Sequence, residues 1–129
     1  MTIDWNSAPL ICDDLESRQP QASEIFTQIS ERWRLRTMGV LAAAGDPLRF
    51  SRLRERLVPV SQKSLTKTLR DLERDGLVKR VVFPEVPPRV EYSITSTGIS
   101  MLEQVYPLWI WAVENMDKFK KARREYDER

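Results

Sequence analysis

Apolar residues in this chain fall into five stretches with helical spacing and two that alternate. Ala22, Ile25, Phe26 and Ile29 lie at i, i+3, i+4 and i+7, one face of an amphipathic helix, and Pro20 suits its first turn. A second helix is predicted over 33–44, carrying Leu35, Met38, Val40, Leu41 and Ala42, with a turn at Gly45-Asp46-Pro47. A short third helix, 50–57, sets Phe50, Leu53 and Leu57 on one stripe. It stops at Val58, because a residue before proline is pushed out of the helical region. Ser61 reads as the N-cap of a fourth helix, 62–75, and Gly76 as the residue that ends it.

The rhythm then changes to period two. Residues 77–83 are rich in valine, and over 89–95 Val90, Tyr92 and Ile94 alternate with Arg89, Glu91 and Ser93. The proline-rich link 84–88 makes them a β-hairpin with a stiff tip. Thr95 or Thr97 opens a long last helix, expected to reach Lys121 and to kink at Pro107, which lacks an N–H. Three regions follow from this pattern: a polar arm over 1–19, one folded domain over 20–121, and a charged tail over 122–129 expected to fray.

Composition narrows the functions available. The 129 residues make one domain with a modest core. Unbroken apolar runs are only a few residues long, so no membrane span is expected, and the N-terminus does not read as a signal peptide. A soluble, cytoplasmic protein is the expectation. The chain has one cysteine and no histidine, so neither a histidine-based triad nor a cysteine- or histidine-rich metal site can be built. Neither common phosphate-cradling glycine loop occurs. The reading is therefore not an enzyme, with no cofactor and no metal.

The net charge of +2 conceals two opposed blocks. Residues 1–31 sum to −5 and residues 49–80 to +6. The basic block suits a polyanion. Its centre is the fourth helix, where Leu65, Leu69 and Leu72 lie at i, i+4 and i+7. Lys63, Lys67, Arg70 and Arg74, at i, i+4, i+7 and i+11, cluster nearly opposite the leucines. Gln62, Ser64 and Thr66 add short hydrogen-bonding groups at the N-terminal end. Such a helix suits the DNA major groove, with cations for phosphates and polar groups for base edges. Lys63, Lys67, Arg70 and Arg74 are assigned to phosphates, and Gln62, Lys63, Ser64 and Thr66 to bases. Arg89, with Lys79 or Arg80, would anchor the hairpin beside the helix. The order helix, helix, turn, basic helix, hairpin, long helix is that of a winged helix-turn-helix, mainly α with a small β-hairpin wing.

The same stretch carries a resemblance. Arg49-Phe50, Ser61-Gln62-Lys63-Ser64-Leu65-Thr66, Leu69-Arg70-Asp71-Leu72-Glu73, Gly76-Leu77-Val78, Arg80, Pro87-Pro88-Arg89-Val90-Glu91-Tyr92, Ile94-Thr95, Gly98 and Trp111 are similar to the HxlR family of bacterial transcription regulators, relatives of the MarR group. Trp33 matches the tryptophan that opens that family's second helix. The resemblance runs from about Pro20 to Trp111 and implies a dimeric DNA-binding regulator. Many members place a redox-sensing Cys-Pro pair some fourteen residues before that tryptophan; here Gln19-Pro20 stands there. Cys12 matches nothing in the pattern, and Asp13 and Asp14 beside it disfavour a thiolate.

The last helix is apolar around most of its girth, so it must be buried on two sides. Leu102, Val105, Tyr106, Trp109 and Val113 form its main stripe, and Ile25, Phe26 and Ile29 of the first helix are the expected co-contributors to a homodimer interface. Phe26, Trp33, Trp109 and Trp111 could line a pocket for a flat apolar small-molecule effector, the alternative being plain core and dimer packing. The resulting expectation is a homodimeric repressor that reads a palindromic operator in double-stranded DNA. The alternative is a winged-helix protein-interaction module that binds no DNA; it would require an apolar or acidic face where the four cations stand.

Overall fold

The computed structural model describes Glu24 and residues 30–129. Helix α1 (Arg32–Ala44) leads into a two-residue strand, β1 (Leu48–Arg49), and then α2 (Phe50–Arg56). Helix α3 (Gln62–Arg74) follows, and the hairpin is β2 (Val78–Phe83) with β3 (Arg89–Ile94). Helices α4 (Ser96–Glu114) and α5 (Met116–Asp127) complete the order. The helix expected to carry Ile25, Phe26 and Ile29 lies outside the described residues, as do the arm and Cys12.

The core forms where the helix-turn-helix folds against α1 and the base of the hairpin. Met38 and Leu41 of α1, Leu53 of α2, Leu65, Leu69 and Leu72 of α3, and Leu77 and Val78 at the start of the hairpin pack into one buried cluster. Each fully buried leucine contributes roughly 1.5–3 kcal/mol. The predicted leucine stripe of α3 is thus its buried face.

Local signals account for most boundaries. The Ser61 side chain accepts a hydrogen bond from the Ser64 amide at 3.0 Å, the cap its position suggests. At the other end of α3 the Gly76 amide donates to the Glu73 carbonyl (3.0 Å) and the Leu77 amide to the Leu72 carbonyl (2.9 Å). This is a Schellman closure, and it needs the left-handed φ of 72° that Gly76 adopts. Leu72 and Leu77, the two ends of the longer bond, are both buried. Thr95, rather than Thr97, caps α4: its hydroxyl accepts from the Gly98 amide (3.1 Å) and donates to the Gly76 carbonyl (2.6 Å).

Three features differ from the sequence expectation. β1 adds a third strand, pairing Leu48 with Tyr92 and Arg49 with Glu91, so the antiparallel sheet has the order β1-β3-β2. Two residues carry no detectable alternation, which is why the pattern missed it. The last helix is two helices: α4 runs through Pro107 and stops at Asn115, whose backbone N–H and side-chain amide both donate to the Trp111 carbonyl, at 3.0 and 2.8 Å. An asparagine that bonds local backbone competes with helix continuation. The tail is helical to Asp127, since its lysines, arginines and alanine favour helix and Lys121 faces Glu125 one turn on at 3.9 Å. Among the described residues no helix is long and apolar enough to cross a membrane.

Candidate nucleic-acid interface

The face of α3 opposite its leucines is open. Gln62, Lys63, Thr66, Lys67, Arg70 and Arg74 are all exposed, and Ser64 is half-buried behind them. Gln62, Lys63, Thr66, Lys67 and Arg70 line one shallow concavity of about 600 Å³. No ion pair occupies any of its cations among the described residues. The hydroxyl of Thr66 donates to the Gln62 carbonyl one turn back at 2.7 Å. Its proton is therefore spent inside the helix. Toward a base edge Thr66 can offer a lone pair or its methyl group, but no donor.

An ion pair missing from the sequence reading holds α3 in place. The Arg34 guanidinium of α1 donates to the Asp71 carboxylate at 2.7 Å, with both side chains largely sheltered. Arg34 sits in a run of arginines, Arg32, Arg34 and Arg36, and only the packing of α1 on α3 distinguishes it. Asp71 also explains an apparent flaw in the basic helix, since its charge is turned inward and compensated.

The hairpin separates the three basic residues assigned to it. Alternation along β2 puts Lys79 and Arg80 on opposite faces. Arg80 pairs across the ladder with Tyr92, on the row that includes Leu48. Lys79 pairs with Ser93 on the other face. Both are exposed. Arg89 is engaged within the wing: its guanidinium lies 4.1 Å from the ring centroid of Phe83, 3.3 Å from the Glu85 carboxylate and 3.6 Å from that of Glu91. Phe83 and Arg89 are cross-strand partners at the last rung before the tip. Arg89 thus braces the hairpin, and Val86 stands fully exposed beyond it.

The second candidate region is the apolar groove between α1 and α4. It measures about 700 Å³ and is lined by Arg32, Leu35, Arg36, Gly39, Leu102, Val105, Tyr106 and Trp109. Leu102 and Val105 are half-buried, while Tyr106 and Trp109 are each 64% exposed and Val113 55%. Of the four aromatics proposed from sequence for an effector pocket, Trp109 lines this groove. Trp33 packs on the core with the Arg32 and Arg36 guanidinium groups over its ring at 5.1 and 5.0 Å. Trp111 meets Phe119 of α5 edge-on at 5.8 Å. Phe26 lies outside the described residues.

Comparison with known proteins places this arrangement among regulators. Residues 28–120 match the HxlR-like helix-turn-helix family. The chain is 34% identical over 112 residues to the HTH-type transcriptional regulator YtfH of Escherichia coli, covering 87% of each chain. The structure resembles that of the transcriptional regulator YtfH from Salmonella typhimurium, with a TM-score of 0.67 and 34% identity over 80% of this chain and 90% of that one. It also resembles the reduced form of the transcriptional regulator YodB from Bacillus subtilis, with a TM-score of 0.63 and 31% identity over 72% of this chain and 89% of that one.

Proposed function

The chain belongs to the HxlR-like helix-turn-helix family of DNA-binding transcription regulators, and from that premise we propose that it acts as a homodimeric repressor whose α3 lies in the major groove of a palindromic operator. The observation that carries this reading is the sorting of α3 into a buried leucine face and an open face of unpaired cations and polar groups. An α-helix fits the width of the major groove, and the N-terminal residues of a recognition helix are those that meet base edges. Gln62 and Lys63 stand at that end, with Ser64 and Thr66 behind them. Lys67, Arg70 and Arg74 run along the helix toward the backbone. The wing reaches the adjoining backbone or minor groove.

The exposed apolar side of α4 supports dimerisation, with Tyr106, Trp109 and Val113 as the centre of the interface. Ile25, Phe26 and Ile29, the co-contributors expected from the sequence, lie outside the described residues. The groove beside Trp109 is the place for a small-molecule effector within that assembly. Cys12, the only thiol, has no role in this scheme.

Selection of binding sites from random duplexes tests the proposal. The expected product is a pair of half-sites related by a dyad, about 10–10.5 base pairs apart or a multiple of that spacing. Affinity for it should fall steeply with salt. Failure to enrich any sequence, together with binding indifferent to salt, would overturn the reading.

A further inference from the structure

A second, smaller cleft lies between α3 and the sheet. It measures about 320 Å³ and is bordered by Thr66, Leu69, Arg70, Glu73, Arg80 and Tyr92. Arg70 comes from α3 and Arg80 from β2, so two guanidinium groups from different elements meet at one opening. Neither has an ion-pair or hydrogen-bond partner among the described residues, and the Tyr92 hydroxyl has none either. Two unpaired guanidinium groups beside a phenol form a donor set for a single tetrahedral anion, since each guanidinium offers parallel N–H groups that match phosphate oxygens. Glu73 also borders the cleft, and its charge disfavours an anion on its own side. The Thr66 hydroxyl, already donating to Gln62, serves there as a wall.

We propose that this cleft clamps one phosphate of the DNA backbone between Arg70 and Arg80. The inference rests on the reading of α3 as a major-groove helix and adds to it. A helix in the major groove and a wing at the neighbouring minor groove stand on either side of one sugar-phosphate ridge. That ridge must pass between the two elements, and this cleft is the opening between them. The placement also distinguishes the two basic residues of β2. Arg80 faces the ridge with α3, and Lys79, on the opposite face of the hairpin, does not.

The test uses the full-length protein and a selected operator duplex in which single phosphates are replaced, one position at a time, by neutral methylphosphonate. For the wild type, methylphosphonate at one position in each half-site, the clamped phosphate, should weaken binding. Arg70→Ala and Arg80→Ala should each become less sensitive at that same position and keep wild-type sensitivity elsewhere. In salt titrations the double variant should flatten the log–log slope by about 1.8 for a dimer, one phosphate contact per half-site, whereas two separate phosphates would give about 3.6. Lys79→Ala should leave the sensitive position unchanged. Both arginines are exposed, so thermal midpoints should match wild type and report intact folding. If the two variants lose sensitivity at different phosphates, or bind and respond as wild type does, the clamp is wrong while the groove reading stands. A wild-type protein that binds no duplex removes the groove reading itself.

Discussion

Single side chains on α3 divide into two kinds by what they can recognise. Lys67 is exposed on the face opposite the leucines, so its ammonium can approach a phosphate without disturbing the core. A phosphate contact is blind to sequence, and each one adds about −0.9 to the salt slope. A dimer carries the change twice, so Lys67→Ala should flatten the slope by about 1.8 and weaken operator and random DNA alike. Gln62 stands in the first turn, where its amide can offer a donor and an acceptor to adenine. Gln62→Ala should cost about 1–3 kcal/mol per half-site on the operator and much less on random DNA, with the slope nearly unchanged. Titrating both variants on both duplexes at three salt concentrations separates the roles. If Lys67→Ala leaves binding and slope untouched, α3 does not lie in the groove. Thr66 and Arg89 each hold a contact that the sequence pattern does not reveal. Each is engaged inside the protein, Thr66 with Gln62 and Arg89 with Phe83, Glu85 and Glu91.

Elements are held together by a few close approaches, and Gly98 marks the tightest. It is buried in the first turns of α4, and a Cβ there would meet the Leu77 carbonyl oxygen and lie 2.6 Å from Cγ1 of Ile94. Backbone cannot give way as a flexible side chain can. Gly98→Ala should therefore destabilise the fold by about 1–3 kcal/mol, measured by denaturant unfolding. Unchanged stability would mean that α4 can lift from the sheet without loss. The sequence resemblance included Gly98, but the reason for a glycine there lies in two residues from the hairpin. The same division holds elsewhere. The Ser61 cap, the Gly76 ending, the leucine stripe and the hairpin were legible because each depends on neighbours within a few residues. The choice of Thr95 over Thr97, the β1 strand and the Arg34–Asp71 pair depend on contacts between distant segments. No periodicity records those. The break at Asn115 is local, yet asparagine is tolerated in many helices, and its side-chain bond to Trp111 is what marks it.

At the scale of the whole molecule, α4 carries a set of exposed apolar side chains among the described residues. Tyr106, Leu108, Trp109, Trp111 and Val113 are each more than half exposed. Exposed apolar side chains on two sides of α4 fit the proposed dimer. Sedimentation at micromolar concentration should give twice the 15.1 kDa chain mass, and Trp109→Glu should shift the protein toward monomer and weaken operator binding. A stable folded wild-type monomer would refute the dimer. The hairpin is organised in the opposite sense, closed on itself at one point. Both of its ends meet where Thr95 bonds the carbonyls of Gly76 and Leu77 and receives the amide of Gly98. That junction also closes α3 and opens α4. Amide hydrogen exchange should therefore see two classes. The amides of Leu77 and Gly98 can open only when the whole domain does, so their protection should equal the global unfolding free energy. Amides around the wing tip, near 83–89, can open by local fraying that leaves the junction closed, and they should exchange faster by a subglobal route. Equal protection along the hairpin would mean that the wing moves only with the rest. Two classes would mean that the tip can adjust to the shape of a duplex while α3 keeps its place.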